Sequence, residues 1–255
     1  MKIEKIKKNG SKYKIVLDNG QIISTYEEVI LNNGLLFHKY ISSSLLDKIS
    51  NDTNYYKSYN KTIDMINRRL RSEKEIQDYL IKNSVEEEDI KEIILNLKRI
   101  GLIDDKMFAR AYTNDKINLS SDGPYKIRKF LESNNIKDEY INEAFKSISE
   151  EVINSKIDKI ITKKVSNNTK YTTYMLKQKI LNYLINLGYS RESIINRLEM
   201  IKIEKKDTTK EMDKIYDKLC KKYQDQELKY KLKSKLYSKG YTREEIESYI
   251  QKNSS

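Results

Sequence analysis

Four bends, centred on Val85, Ile136, Tyr189 and Tyr241, recur at separations of 51, 53 and 52 residues, and this period constrains the fold more than any other feature of the chain. Five residues before each centre stands Leu80, Leu131, Leu184 or Leu236, and nine before stands Ile76, Ile127, Ile180 or Leu232. Five after comes Ile90, Ile141, Ile194 or Ile246, and nine after comes Ile94, Phe145, Leu198 or Ile250. Apolar agreement at five positions in four copies is the signature of a repeat protein. Spacings of four residues within each arm put the apolar side chains on one helical face.

The bends themselves have a physical reading. Ser84, Asn135, Gly188 and Gly240 precede the centres, where a left-handed residue ends a helix in a Schellman motif and brings the next residue onto the one five earlier. Serine is the least comfortable of the four in that conformation. Ser72 with Glu75 has capping-box spacing, as does Thr242 with Glu245, and Ser190 is a further N-cap. Upstream of each pair lies another helical pattern: Tyr59, Ile63, Ile66 and Leu70; Phe108, Ala111 and Tyr112; Ile153, Ile157, Ile160 and Ile161; Met212, Ile215, Tyr216 and Leu219. Segments of varying length, of which Asn118–Gly123 and Ser166–Thr172 are polar examples, link the upstream helix to its pair.

Residues 1–50 follow a different pattern. Tyr13, Ile15 and Leu17 alternate with Lys14 and Val16, and Gln21–Thr25 follows Asp18-Asn19-Gly20. This predicts a hairpin with a type I′ turn at Asn19-Gly20. Ile3 and Ile6 open a third strand, and Tyr26–Asn32 and Ser44–Ser50 read as short helices. Asn51-Asp52-Thr53-Asn54 reads as a polar break. The expected fold is mainly α, with four tandem three-helix repeats in an elongated array behind a small β-hairpin-containing N-terminal subdomain. The expected limits are 1–54 for the cap, then 55–105, 106–149, 150–206 and 207–255 for the repeats. A helical unit of this size buries little alone, so neighbours should stack.

Composition narrows the function classes. One proline and seven glycines with 35% charged residues suit a helical protein with charge-rich faces. No apolar run approaches a membrane span, and the basic start MKIEKIKKNG lacks the apolar core of a signal peptide; a reducing cytoplasm is the expected address. One cysteine, Cys220, excludes an internal disulfide, and with one histidine, His38, no metal site or cofactor is expected. The net charge is +12, and from Glu150 to Ser255 basic residues outnumber acidic ones by 24 to 15. That excess suits a polyanionic or acidic partner, although an AT-rich genome would also enrich lysine. Basic residues recur at equivalent places: Arg68, Arg69 and Arg71 beside the first repeat; Lys126, Arg128 and Lys129 in the second; Lys177 and Lys179 in the third; Lys229, Lys231 and Lys233 in the fourth. They form a candidate strip for phosphates or acidic protein, with an ordinary solvated face as the competing explanation. Asp104-Asp105 and Glu86-Glu87-Glu88-Asp89 sit where acids favour a helix start, so capping is preferred over catalysis. Tyr189 and Tyr241 read as packed bend residues. No nucleophile–base pair or glycine-rich phosphate loop is present.

The runs RRLRSEKEIQDYL (Arg68–Leu80), GLIDDKMFA (Gly101–Ala109) and GPYKIRKFLESNNI (Gly123–Ile136), in this order and spacing, resemble the RecX family of recombinase regulators. The hairpin cap is similar to that of its longer members. The resemblance implies tandem three-helix repeats that bind the RecA recombinase and its single-stranded DNA filament. Such a protein would inhibit or tune filament extension, strand exchange and ATP hydrolysis in recombination and DNA repair, without catalysis of its own, as a monomer. A tandem helix-turn-helix protein acting directly on DNA is the alternative. At the first bend the family's common glycine is replaced by Ser84.

Overall fold

In the computed structural model, which describes residues 1–168, 171–201, 203 and 208–253, the N-terminal segment forms a three-stranded antiparallel meander. Its strands are β1 (Ile3–Asn9), β2 (Lys12–Leu17) and β3 (Ile22–Thr25), with β2 central. The register pairs Ile6 with Ile15 and Ile15 with Ile23, so one face is apolar. Under it lie α1 (Glu27–Asn32), Leu35, Ile41 and Ile49. The expected type I′ turn is corrected. Gly20 has φ 82 but Asn19 is not in the left-handed region. Instead Leu17 and Gln21 close a three-residue loop, the Leu17 N–H donating to the Gln21 carbonyl at 2.9 Å. In such a loop only its last residue must be left-handed, and Gly20 supplies it.

The polar break at Asn51–Asn54 is also absent. A single helix, α2, runs from Ser43 to Arg68, and those residues lie inside it. Two of their polar side chains, Asp52 and Thr53, are bonded to the cap. The Asn33 Nδ2 donates to the Asp52 carboxylate at 2.7 Å, and the Thr25 and Thr53 hydroxyls meet at 2.6 Å. Ile49 on the first half of α2 belongs to the cap's core, while Ile63 and Ile66 on the second half belong to the first repeat's core. Leu70 lies beyond its end and is exposed.

The remaining helices follow the period: α3 (Glu73–Lys82) and α4 (Glu87–Arg99); α5 (Asp105–Leu119), α6 (Pro124–Ser133) and α7 (Asp138–Lys146). Next come α8 (Glu150–Ser166), α9 (Thr173–Asn186) and α10 (Arg191–Met200), then α11 (Thr209–Cys220), α12 (Asp225–Ser238) and α13 (Arg243–Asn253). Residues 169 and 170 of the Ser166–Thr172 segment, and the expected boundary at 206/207, lie outside the described residues. The four leucines five before each bend are fully buried. The other aligned positions are buried too, except Val85, Phe145 and Ile250, which are half-buried.

All four bend residues are left-handed: Ser84 (φ 55), Asn135 (φ 56), Gly188 (φ 91) and Gly240 (φ 80). Both Schellman hydrogen bonds form at three of the bends. Val85, Tyr189 and Tyr241 donate to the carbonyls of Leu80, Leu184 and Leu236 at 3.1–3.2 Å; Ser84, Gly188 and Gly240 donate to Ile81, Ile185 and Tyr237 at 2.9 Å. The Ser72–Glu75 and Thr242–Glu245 capping boxes close in both directions, and Ser190 caps α10. Ser84 is exposed whereas Gly188 is buried, so replacing the serine has only a backbone effect. Ser84→Gly is expected to raise stability by about 0.5–1 kcal/mol through relief of left-handed strain, partly offset by unfolded-state entropy. A urea-unfolding midpoint reads this; no gain would mean that the serine is unstrained.

The chain gathers into two compact units. The first, residues 1–109 with 133–140, holds the cap's core and a cluster built on Ile66, Ile76, Leu80, Ile90, Ile93, Ile94, Leu97 and Ile103. The second, residues 110–132 with 141–255, holds one cluster from α8–α10 around Ile157, Ile161, Ile180 and Leu184. Another of its clusters comes from α11–α13, around Ile215, Leu232, Leu236 and Ile246.

Candidate functional site

The positions of the middle helices α3, α6, α9 and α12 are set by joints in which one repeat's bend meets the start of the preceding repeat's middle helix. At the second and third repeats, Gly123 and Tyr125 at the start of α6 donate backbone N–H groups to the carbonyls of Leu187 (2.6 Å) and Gly188 (2.9 Å). Orphan donors of one helix start thus meet the carbonyl-rich end of another helix. At the third and fourth, the hydroxyl of Thr172, which caps α9, donates to the Lys239 carbonyl at 3.2 Å. At the first and second, the buried cap Ser72 donates to the Asn134 side chain at 3.1 Å. Each joint leaves a middle helix with its start covered and its polar flank outward.

That flank carries the candidate basic positions. Lys126, Lys179 and Lys231 each stand ten residues before their bend centres, and all three are exposed. Lys126 pairs with Asp122 at 2.6 Å. Lys179 lies over the Tyr171 ring at 4.6 Å, and Lys231 near the rings of Tyr223 and Tyr230. Arg128 bonds Asn142 at 2.6 Å and covers Phe145. Lys129, Lys229 and Lys233 are exposed and Lys177 is half-buried, none of them in an ion pair among the described residues. The first repeat differs. Its equivalent position is Glu75, held by Arg69 at 2.5 and 3.2 Å and by Arg71 at 3.4 Å. Arg69 and Arg71 therefore neutralise an acid, while Arg68 is exposed at the end of α2.

Sequence reasoning missed a second basic group. Lys163 and Lys164 at the end of α8 join Lys179, Tyr171 and Tyr183 around a cleft of about 880 Å³ in the third repeat. Lys164 stands 4.0 Å above the Tyr183 ring, a cation–π contact. The signal was present, since Lys163-Lys164 follow buried Ile161 on the helix shoulder, but only the fold sets them opposite α9. Lys156 was missed as well. Its ammonium donates to the carbonyls of Ile117 and Ser120, closing the end of α5. Burial pulls its pKa below the usual lysine range.

The acidic pair is structural. The Asp104 carboxylate accepts from the Met107 N–H at 2.9 Å at the start of α5. Asp105 turns to α3, accepting the Glu73 N–H at 2.9 Å. Burial raises the Asp105 pKa despite that bond. No group of three or more His, Cys, Asp or Glu residues able to hold a metal occurs among the described residues. Tyr189 and Tyr241 are buried bend residues, as expected, and burial pushes the Tyr189 hydroxyl up to about 12.

Residues 59–97 match the model of the RecX first three-helix domain. The Regulatory protein RecX of Listeria monocytogenes serotype 4b is 32% identical over 216 residues, covering 84% of this chain and 78% of the relative. That of Oceanobacillus iheyensis is 30% identical over 213 residues, covering 82% and 76%. A crystal structure of regulatory protein RecX superposes with a TM-score of 0.62 at 25% identity, covering 79% of this chain and all of that one. The repeats, the cap boxes and the motif runs at Arg68–Leu80, Gly101–Ala109 and Gly123–Ile136 agree with these likenesses, and the chain belongs to the RecX family of regulatory proteins.

Proposed function

We propose that the chain binds a RecA-type recombinase and its single-stranded DNA filament, and inhibits filament extension, strand exchange and ATP hydrolysis in recombination and DNA repair. As a RecX-family chain it is a regulator and not an enzyme. The observation that carries the reading is its 32% identity with a Regulatory protein RecX over most of both chains. The basic flank of the middle helices supports it, since cations there suit phosphates or an acidic protein groove. Arg68, Lys129, Lys177, Lys179, Lys229, Lys231 and Lys233 are the contacts we assign first. Arg69, Arg71, Lys126 and Arg128 come second, because each is held in an ion pair or hydrogen bond within the chain. A reducing cytoplasm is the proposed address; among the described residues no helix is long and apolar enough to cross a membrane.

The helix-turn-helix alternative is disfavoured by charge. Its recognition helices would be α4, α7, α10 and α13, whose first turns carry Glu87, Glu88 and Asp89; Asp138 and Glu139; Glu192; and Glu244 and Glu245. A recognition helix brings its N-terminal residues to the groove, and at α4 and α7 these would meet phosphates with like charge, whereas α10 and α13 open on Arg191 and Arg243. The test is DNA-dependent ATP hydrolysis and strand exchange by the cognate recombinase, with and without the chain. Both activities should fall, and Lys229→Glu with Lys231→Glu and Lys233→Glu should raise the inhibitory concentration by about tenfold or more. Unchanged recombinase activity at saturating protein would sink the proposal.

A further inference from the structure

We propose that the cap carries its own site for single-stranded nucleic acid, formed by Lys5, Lys7 and Lys14 on the outward face of the sheet with Phe37 beside its edge. The register sets Lys7 directly opposite Lys14, and Lys5 opposite Val16. These residues alternate with the core-facing Ile6, Ile15 and Leu17, so they point away from the helices. Ser24 and Ile22 continue the same face on β3 and are exposed, Ile22 by 60%; nothing in the cap covers it.

Like charges directly opposite one another on neighbouring strands destabilise a sheet. Here the pair is extended by a third lysine, and no acid occupies a paired position on that face. Glu4 sits at the irregularity between Ile3 and Lys5, outside the paired register. Lys5, Lys7 and Lys14 are exposed and make no ion pair among the described residues. Other lysines behave otherwise: Lys8 on the same strand reaches Glu27 at 3.6 Å, and Lys74, Lys91 and Lys98 in the first repeat hold Asp78, Glu87 and Glu73 at 2.5–2.6 Å. Cations without an ion pair on paired and alternate positions of neighbouring strands suit a ligand with closely spaced negative charges.

An independent observation comes from the loop beside β1. The Ile3 N–H donates to the Lys39 carbonyl at 2.9 Å and the Ile41 N–H to the Met1 carbonyl at 2.7 Å, which ties the loop to the start of the sheet. Phe37 on that loop is 92% exposed and Tyr40 67%. The loop thus brings exposed rings to the edge strand that carries Lys5 and Lys7, and non-specific binders of single strands combine base stacking on such rings with phosphate attraction. Rings and lysines would also suit an anionic membrane surface. The choice of nucleic acid rests on the proposed function, which brings the chain to a single-stranded DNA filament.

The experiment measures binding of the full chain to a labelled oligothymidylate by fluorescence anisotropy, without recombinase, from about 50 to about 200 mM salt. The variant Lys5→Gln/Lys7→Gln/Lys14→Gln should flatten the slope of log affinity against log salt by about 2, near 0.7 for each lost phosphate contact. Phe37→Ala should weaken binding about fivefold or more with the slope unchanged, because stacking releases no counterions. The triple variant should melt no lower than the parent, since its like-charge pair is gone, so a folding defect is distinguishable. A parental slope in the triple variant overturns the site. So does a loss confined to phosphatidylserine vesicles with oligothymidylate binding intact. Failure of the parent to inhibit recombinase would refute the regulatory reading alone, leaving the oligonucleotide result to stand or fall separately.

Discussion

Gly123→Ala is expected to lower unfolding stability by about 2–4 kcal/mol, the range for forcing atoms into a packed site that cannot relax. A Cβ at this position would lie 2.5 Å from the carbonyl carbon and oxygen of Gly188 and 2.7 Å from the Tyr189 nitrogen. All three are backbone atoms of a hydrogen-bonded bend, so no side chain can swing aside. The expected loss runs against intrinsic preference, because alanine improves on glycine wherever the conformation and space allow it. Gly101→Ala is the control. Gly101 has φ 75 but open space around its Cβ position, so only backbone strain of about 1–2 kcal/mol is expected. Urea midpoints of the two variants separate contact from conformation, and hydrogen exchange at the Tyr125 amide reports the joint directly. A Gly123 variant as stable as the parent would show that the helix start and the bend are not held at this distance.

Leu184→Ala should cost about 2–5 kcal/mol, the span for emptying a fully buried leucine site. Leu184 is fully buried in the third repeat's cluster and accepts the Tyr189 N–H through its carbonyl. Its truncation removes the apolar contact expected to accompany that motif. Tyr237→Ala, on the exposed side of α12, should stay within about 0.5 kcal/mol of the parent. Chemical denaturation followed by circular dichroism measures both. Equal effects at the two positions would contradict the alignment, which makes Leu184 core and leaves Tyr237 outside it.

The contrast between those two residues shows what the sequence made legible. Ile76, Leu80, Ile180, Leu184 and Ile246 declared themselves because helical burial is periodic and local, and because four copies repeat it. The left-handed stops were legible for the same reason: Gly188 and Gly240 are short-range signals. Asn51–Asn54 misled because Asp52 and Thr53 are satisfied by Asn33 and Thr25, partners far along the chain. Asn19-Gly20 misled because a three-residue loop closed by Leu17 and Gln21 uses the same dipeptide. In the candidate strip, the recurrence of Lys126, Lys179 and Lys231 was visible in the alignment. That Arg69 and Arg71 clasp Glu75, and that Lys163 and Lys164 face α9, depends on how helices pack and could not be read from spacing.

The joints between repeats have a direction. At each one the start of a middle helix receives the bend of the unit that follows it in the chain, so the two contributions are never interchangeable. An array assembled this way grows by a rule like that of a sentence, in which every added clause must supply the same connective. Duplication of a unit brings both halves of a new joint with it, and this makes changes in repeat number an accessible evolutionary step. The rule also separates two pressures on the bends. At Gly188 a Cβ would lie 2.5 Å from the Lys126 backbone nitrogen, and at Gly240 2.7 Å from the flexible Met175 side chain, whereas Ser84, exposed at the first bend, answers only to its own backbone. A side chain at Gly188 is therefore opposed by both conformation and contact, whereas at Ser84 conformation alone opposes it, and Asn135 shows that a bend within a joint can carry a side chain.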